Sequence, residues 1–198
     1  MPQTMRYLPR GKRTTRSRRG SALVEFAISF PFLSLLTIGT FAVGVTIDRY
    51  LTVAQLVRDG GNMYARGVDF SADQNKQLLL MAASGMGMTT TGGNGVLYLS
   101  TVVEGDSGAN RGVPVIAHRI VIGDSSFAAS SAGMPTTVQA NGDVSNANTD
   151  SAARAQLPTG LTVTGNERIF VAEVFHKPVG IQFPGFFAPT RIYSRAFF

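Results

Sequence analysis

In 198 residues the sequence has no cysteine, two histidines and three lysines, and each scarcity removes a class of function. Without thiols the fold must hold by its core alone, with no disulfide framework. His118 and His176 stand 58 positions apart with no carboxylate cluster beside either. A metal site needs three or four ligands, so no metal or other cofactor is expected. Lys12, Lys76 and Lys177 follow no glycine loop, which leaves no phosphate-binding loop and no call for a small-molecule substrate. No segment repeats another. Two further absences are local: residues 1–20 contain no acid, and Phe26–Ile47 contains no charge at all.

One catalytic resemblance needs weighing. Gly105-Asp106-Ser107-Gly108 resembles the nucleophile motif of trypsin-like serine proteases, which run in the order His, Asp, Ser and use the histidine to activate the serine. Both histidines here come after Ser107. The composition is also that of an ordinary turn, and no enzyme is expected.

The net charge of +6 and the isoelectric point near 10.2 would ordinarily suggest a nucleic-acid partner. The distribution removes that inference. Seven basic residues (Arg6, Arg10, Lys12, Arg13, Arg16, Arg18 and Arg19) lie in the first 20, leaving eleven against all twelve acids in the remainder, a net of −1. The basicity is a topology signal: cations beside an apolar segment hold that side in the cytoplasm and send the other side out.

The apolar segment itself is Phe26–Ile47, 22 residues. As a helix it would span about 33 Å, enough for a hydrocarbon core of about 30 Å. It is longer than the apolar region of a secretory signal, about 7–15 residues. Ser17-Arg18-Arg19 invites a twin-arginine reading, which would export a soluble domain, but the length of the run and the acid at Glu25 oppose it. A carboxylate at the edge of a membrane helix is costly and so points to a function.

The layout is specific: a basic cluster, Gly20, then Ser21-Ala22-Leu23-Val24-Glu25-Phe26-Ala27, with Pro31 and a leucine-rich continuation. It resembles the processing site of type IV pilin-like precursors, and more narrowly the TadE-like pseudopilins of tight-adherence (Tad) pilus systems. The close match covers Arg18 to about Arg66. The resemblance implies cleavage after Gly20 by a prepilin peptidase, a new amino terminus at Ser21, and an assembly role for Glu25, Phe26 and Pro31. In that family the glutamate is thought to meet the amino terminus of a neighbouring subunit. Unit charges 4 Å apart attract by about 4 kcal/mol at an effective dielectric of about 20, enough to offset much of the burial cost.

Beyond Ile47 the helix should continue as an amphipathic segment to about residue 66, its apolar stripe being Ile47, Tyr50, Leu51, Ala54, Val57, Gly61, Tyr64 and Val68. Gly60-Gly61 predicts a bend or fraying, and Pro31 a kink. Ser71-Ala72-Asp73-Gln74 reads as a capping box opening a second helix that ends by Gly85. Strands are expected at 96–103, 117–122, 161–164, 169–176 and 191–198, forming an antiparallel sheet of four or five strands. Residues 124–150, rich in small and polar side chains, read as a surface excursion, followed by a possible short helix from Asp150 to Gln156. The loop from Pro178 to Pro189 carries Phe183, Phe186 and Phe187, either folded over the core or exposed as a partner-binding patch.

The expected architecture is α+β and pilin-like. A basic leader (1–20) precedes a long helix (21–66, with 21–47 in the membrane) whose second half packs on the antiparallel sheet of an exported domain (67–198). Its expected partners are the prepilin peptidase, other pilin or pseudopilin subunits and the inner membrane. An uncleaved single-pass protein with an exported binding domain is the alternative the sequence leaves open, and a twin-arginine-exported soluble domain is a weaker one.

Overall fold

The computed structural model describes residues 17–178 and 190–198. Their elements are α1 (Ser17–Ala65), α2 (Asp73–Ala82), β1 (Gly95–Glu104), β2 (Pro114–Gly123), β3 (Ile169–His176) and β4 (Ile192–Phe197), with 3-10 turns at Gly108–Asn110 and Ser151–Ala153. The fold is α+β, with a long apolar amino-terminal helix followed by a four-stranded antiparallel sheet. Two compact units divide between Val43 and Gly44.

In the first unit the described part is α1 as far as Val43. It is long and apolar enough to cross a membrane, with almost none of the apolar stretch buried. Leu23, Phe26, Ile28 and Phe32 all present more than half of their surface. Its hydroxyls turn inward on the backbone: Ser34 Oγ donates to the Pro31 carbonyl (3.0 Å), Thr37 Oγ1 to Leu33 (2.8 Å) and Thr40 Oγ1 to Leu36 (2.9 Å). Internal satisfaction of this kind is what a hydrocarbon solvent demands of polar groups. The helix assignment runs through Pro31.

In the second unit the strand order is β2-β1-β3-β4, every pair antiparallel. One face, built from Leu97, Leu99, Ile120, Ile122, Ala172, Val174 and Ile192, packs on the second half of α1 and on α2. The contacting stripe of α1 is Val53, Leu56, Val57, Gly60, Gly61 and Tyr64. The expected stripe began too early, since Ile47, Tyr50 and Leu51 are exposed. The helix meets the sheet only from Val53 onward, so apolar residues before that point have nothing to cover them.

Gly60-Gly61 produces no break. Both are buried inside the helix, and a Cβ at Gly61 would sit 2.1 Å from Cε2 of Phe198. The glycines admit the carboxy-terminal phenylalanine and the Leu79 side chain, a packing gain that outweighs about 1 kcal/mol of lost helix propensity per glycine. At α2 the capping box does not form. The amino-terminal cap is Ala72, without a side-chain bond, and Asp69 instead accepts from the Ser71 amide at 2.8 Å.

The opposite face of the sheet is covered by the chain between β2 and β3. Ala132, Val144, Ala153 and Val163 pack on Val102, Ile116 and Val171, while Ala128 joins Val96, Tyr98 and Phe175. The segment read as a surface excursion is therefore a third layer. Its small residues let an irregular backbone lie flat on the sheet, which a helix-based or strand-based pattern search does not detect. Residues 161–164 are not a strand: they are an irregular stretch between turns at 159–160 and 165–166, and only Val163 of the four is buried. The short helix after Asp150 shrinks to the 3-10 turn, with the Asp150 carboxylate accepting from the Ala152 amide. A bulge opposite Thr101/Val102 makes Ala117 the extra residue of β2 and re-aims Ile116 onto this face.

Candidate functional site

The amino-terminal residues come first. Gly20, Ser21, Glu25, Phe26 and Pro31 all lie in α1 and are exposed. Ser21 and Glu25 sit one turn apart on the same side, and Ser21 Oγ donates to Glu25 Oε1 at 3.2 Å. The Phe26 ring lies 5.4 Å from that of Phe30. Helical structure extends upstream of Gly20 to Ser17, so the Gly20–Ser21 bond is intrahelical. Phe183, Phe186 and Phe187 lie outside the described residues. Their flanks, Pro178 and Thr190, follow β3 and precede β4.

The protease-like tetrapeptide follows β1. Ser107 Oγ donates to Asp106 Oδ1 at 2.8 Å, and the Asp106 amide donates to Asn148 Oδ1. Neither histidine is bonded to Ser107 or Asp106. His118 Nε2 lies 2.9 Å from the Asn141 carbonyl and must donate to it, so in the neutral ring Nδ1 accepts from Tyr64 Oη at 2.6 Å. Thr101 Oγ1 then donates to Tyr64 Oη at 2.9 Å. Burial, partly offset by the Thr101 bond, pushes the Tyr64 phenol up to about 12. This chain of bonds joins α1, β1, β2 and the covering layer and so clamps the four together.

His176 is buried at the opposite end of the sheet, on the helix face, and neither ring nitrogen has a partner. Burial pulls its pKa down, and the nearby Arg49 cation adds to that, against a partial opposing pull from the Asn94 backbone. No group of three or more metal-ligating side chains is brought together among the described residues.

One polar constellation has no counterpart in the sequence reading. Glu173, fully buried in the centre of β3, accepts from Ser130 Oγ, Ser131 Oγ, the Ala132 amide (3.2 Å) and Tyr193 Oη (3.0 Å), and Arg195 Nε lies 3.6 Å away. Arg119, nearly as buried in β2, donates to Ser100 Oγ (3.0 Å), Ser130 Oγ (3.1 Å) and the Gly133 carbonyl (2.6 Å), with its guanidinium 5.2 Å from the Tyr98 ring centre. Burial lowers the Arg119 pKa to about 10, with the Glu173 charge pulling the other way. Ser130 bridges the two charges, and the whole set pins residues 130–133 to the sheet. The signal was present: one acid in β3 and one arginine in β2, each within a strand of mostly apolar residues.

The decisive observation lies in α1. Residues 20–62 match the family model of TadE-like proteins. The TadE-like segment thus holds Ser21, Glu25 and the uncovered apolar helix, and it runs on to the buried glycine pair that receives Phe198. No curated protein and no solved structure matches the chain.

Proposed function

We propose that the protein is a minor pilin or pseudopilin of a Tad-type pilus, made as an inner-membrane precursor and cleaved after Gly20 by a prepilin peptidase. The supporting observation is the TadE-like segment, in which an apolar helix left almost bare begins with one carboxylate. Pilins of this kind are structural subunits, and the role assigned here is assembly, with no catalysis. The basic leader stays in the cytoplasm and the folded unit faces outward. In the precursor Ser21 offers only a peptide nitrogen. Cleavage turns it into an ammonium that Glu25 of a neighbouring subunit binds as bare helices bundle, fixing axial register. Phe26 and Pro31 shape the contacting surface, and Phe183, Phe186 and Phe187 are candidates for contact with another subunit.

The test is the amino-terminal sequence and intact mass of the protein from membranes with and without the peptidase. A peptidase-dependent start at Ser21 is expected, and Glu25→Ala should be processed normally yet fail to enter filaments. Retention of the leader in both strains would replace this reading with an uncleaved membrane-anchored binding protein. A start near Asp48 would mean a soluble exported domain.

A further inference from the structure

Arg49 on α1 donates through Nη1 to the Gly85 carbonyl at 2.7 Å, and the Asn94 amide, a few residues on, donates to the Gly87 carbonyl at 3.0 Å. The Lys177 amide donates to the Asn94 carbonyl at 2.8 Å. Gly95, His176 and Ile192 are register partners across β1, β3 and β4. These links place the start of β1, the end of β3, the start of β4 and Arg49 at one end of the folded unit, the end where the chain enters from its apolar segment. Lys177 directly follows β3 and Arg191 directly precedes β4, each one step beyond the His176–Ile192 pair; both are exposed and neither has an ion-pair partner among the described residues. Two exposed cations following and preceding paired strand ends raise the local positive potential, which an external anion would relieve. The acids nearby do not supply it. Asp48 lies on α1, and Asp124 follows β2, two strands away, where Ser126 occupies it. Exposed Ile47, Tyr50 and Leu51 flank Arg49. Amphipathic side chains beside cations, at the end of an apolar helix, are the composition of a bilayer interface.

We propose that this end of the domain is a lipid-headgroup surface: Lys177 and Arg191, with Arg49 beside them, bind the anionic phospholipid headgroups of the leaflet from which the helix emerges. The inference rests on α1 spanning a bilayer. It gives the folded unit a seat on the membrane before assembly, in place of a free swing about residues 44–48.

The chain has no cysteine, so Thr190→Cys gives a single labelling position beside Arg191. The full chain, carrying a fluorophore there, is reconstituted into phosphatidylcholine vesicles with and without phosphatidylglycerol, with a headgroup spin label as quencher. Quenching should rise with phosphatidylglycerol and fall at high salt. Lys177→Glu with Arg191→Glu should abolish the phosphatidylglycerol-dependent part, each cation lost lowering the docked-to-undocked ratio about fivefold. Arg111→Glu, beyond the far end of β1, should leave it intact. Equal quenching in both lipids, or an equal loss with Arg111→Glu, overturns the headgroup surface while leaving the membrane helix standing. Failure of the protein to float with vesicles overturns the membrane reading and this inference together.

Discussion

The two faces of the sheet solve the same problem by different means. Against the helices the face is wholly apolar toward its centre: Leu97, Leu99, Ala172 and Val174 meet Val53, Leu56 and Val57, and the only fine adjustment is a glycine pair that admits one ring. Under the irregular layer the centre of the face is ionic, with Glu173 and Arg119 buried among serines. A regular helix brings its own satisfied backbone and needs only an apolar stripe. An irregular segment brings free amides and carbonyls, and buried polar side chains give them partners: the Ala132 amide finds Glu173, and the Gly133 carbonyl finds Arg119. The polar core is thus a consequence of covering a sheet with a loop.

Breaking the ionic face should have the largest effect. Glu173→Ala leaves Arg119 buried without its counter-charge, and a loss of about 3–5 kcal/mol is expected in urea unfolding of the detergent-solubilised protein. Glu173→Leu combined with Arg119→Met should recover much of that stability, because an apolar replacement removes both desolvation costs. If it recovers stability but loosens protease resistance at residues 128–135, the charges serve to fix the layer in one place.

The apolar face should respond to shape. Gly61→Ala places a methyl against the Phe198 ring and is expected to cost about 1–3 kcal/mol, measured by the same unfolding curves. Phe198→Leu should absorb part of the cost, and a double-mutant cycle reads the coupling. The smallest effect concerns His176, a buried polar residue on the helix-facing side. With its folded pKa held below the usual 6.5, the unfolded chain binds the extra proton first as the medium is acidified. Stability from this group is therefore complete above about pH 6.5 and lost as pH falls through the lowered value. His176→Leu should flatten that acid limb of the melting temperature and leave the alkaline side little changed.

These contrasts also explain what the sequence disclosed. The uncharged run is legible because length and absence of charge are properties of contiguous residues, and the structure leaves the same run as a bare helix. The strand from Ile169 to His176 was legible to the residue, since turn-forming neighbours bound it on both sides. Residues 128–144 were not, because their order comes from tertiary partners in β2 and β3 and leaves no period in the chain. The helix stripe was displaced for a related reason: where a helix begins to touch a sheet depends on where the sheet ends. Glu173 and Arg119 were visible as charges misplaced in apolar strands, though nothing local paired them.

The covering layer does one more thing as it passes the rim of the sheet. Gly142 accepts from the Arg119 amide at 2.7 Å, the Val144 amide donates to Ala117 at 2.9 Å, and the Ala155 amide donates to Pro114 at 2.8 Å, so the outer border of β2 is occupied along most of its length. A sheet can propagate from molecule to molecule only if each copy offers two vacant borders, one to receive and one to be received. Among the described residues the sheet keeps at most one, on β4, so these strands can join copies in pairs but do not string them into an endless ribbon. An unlimited polymer of the folded protein must therefore grow along a surface other than its sheet borders.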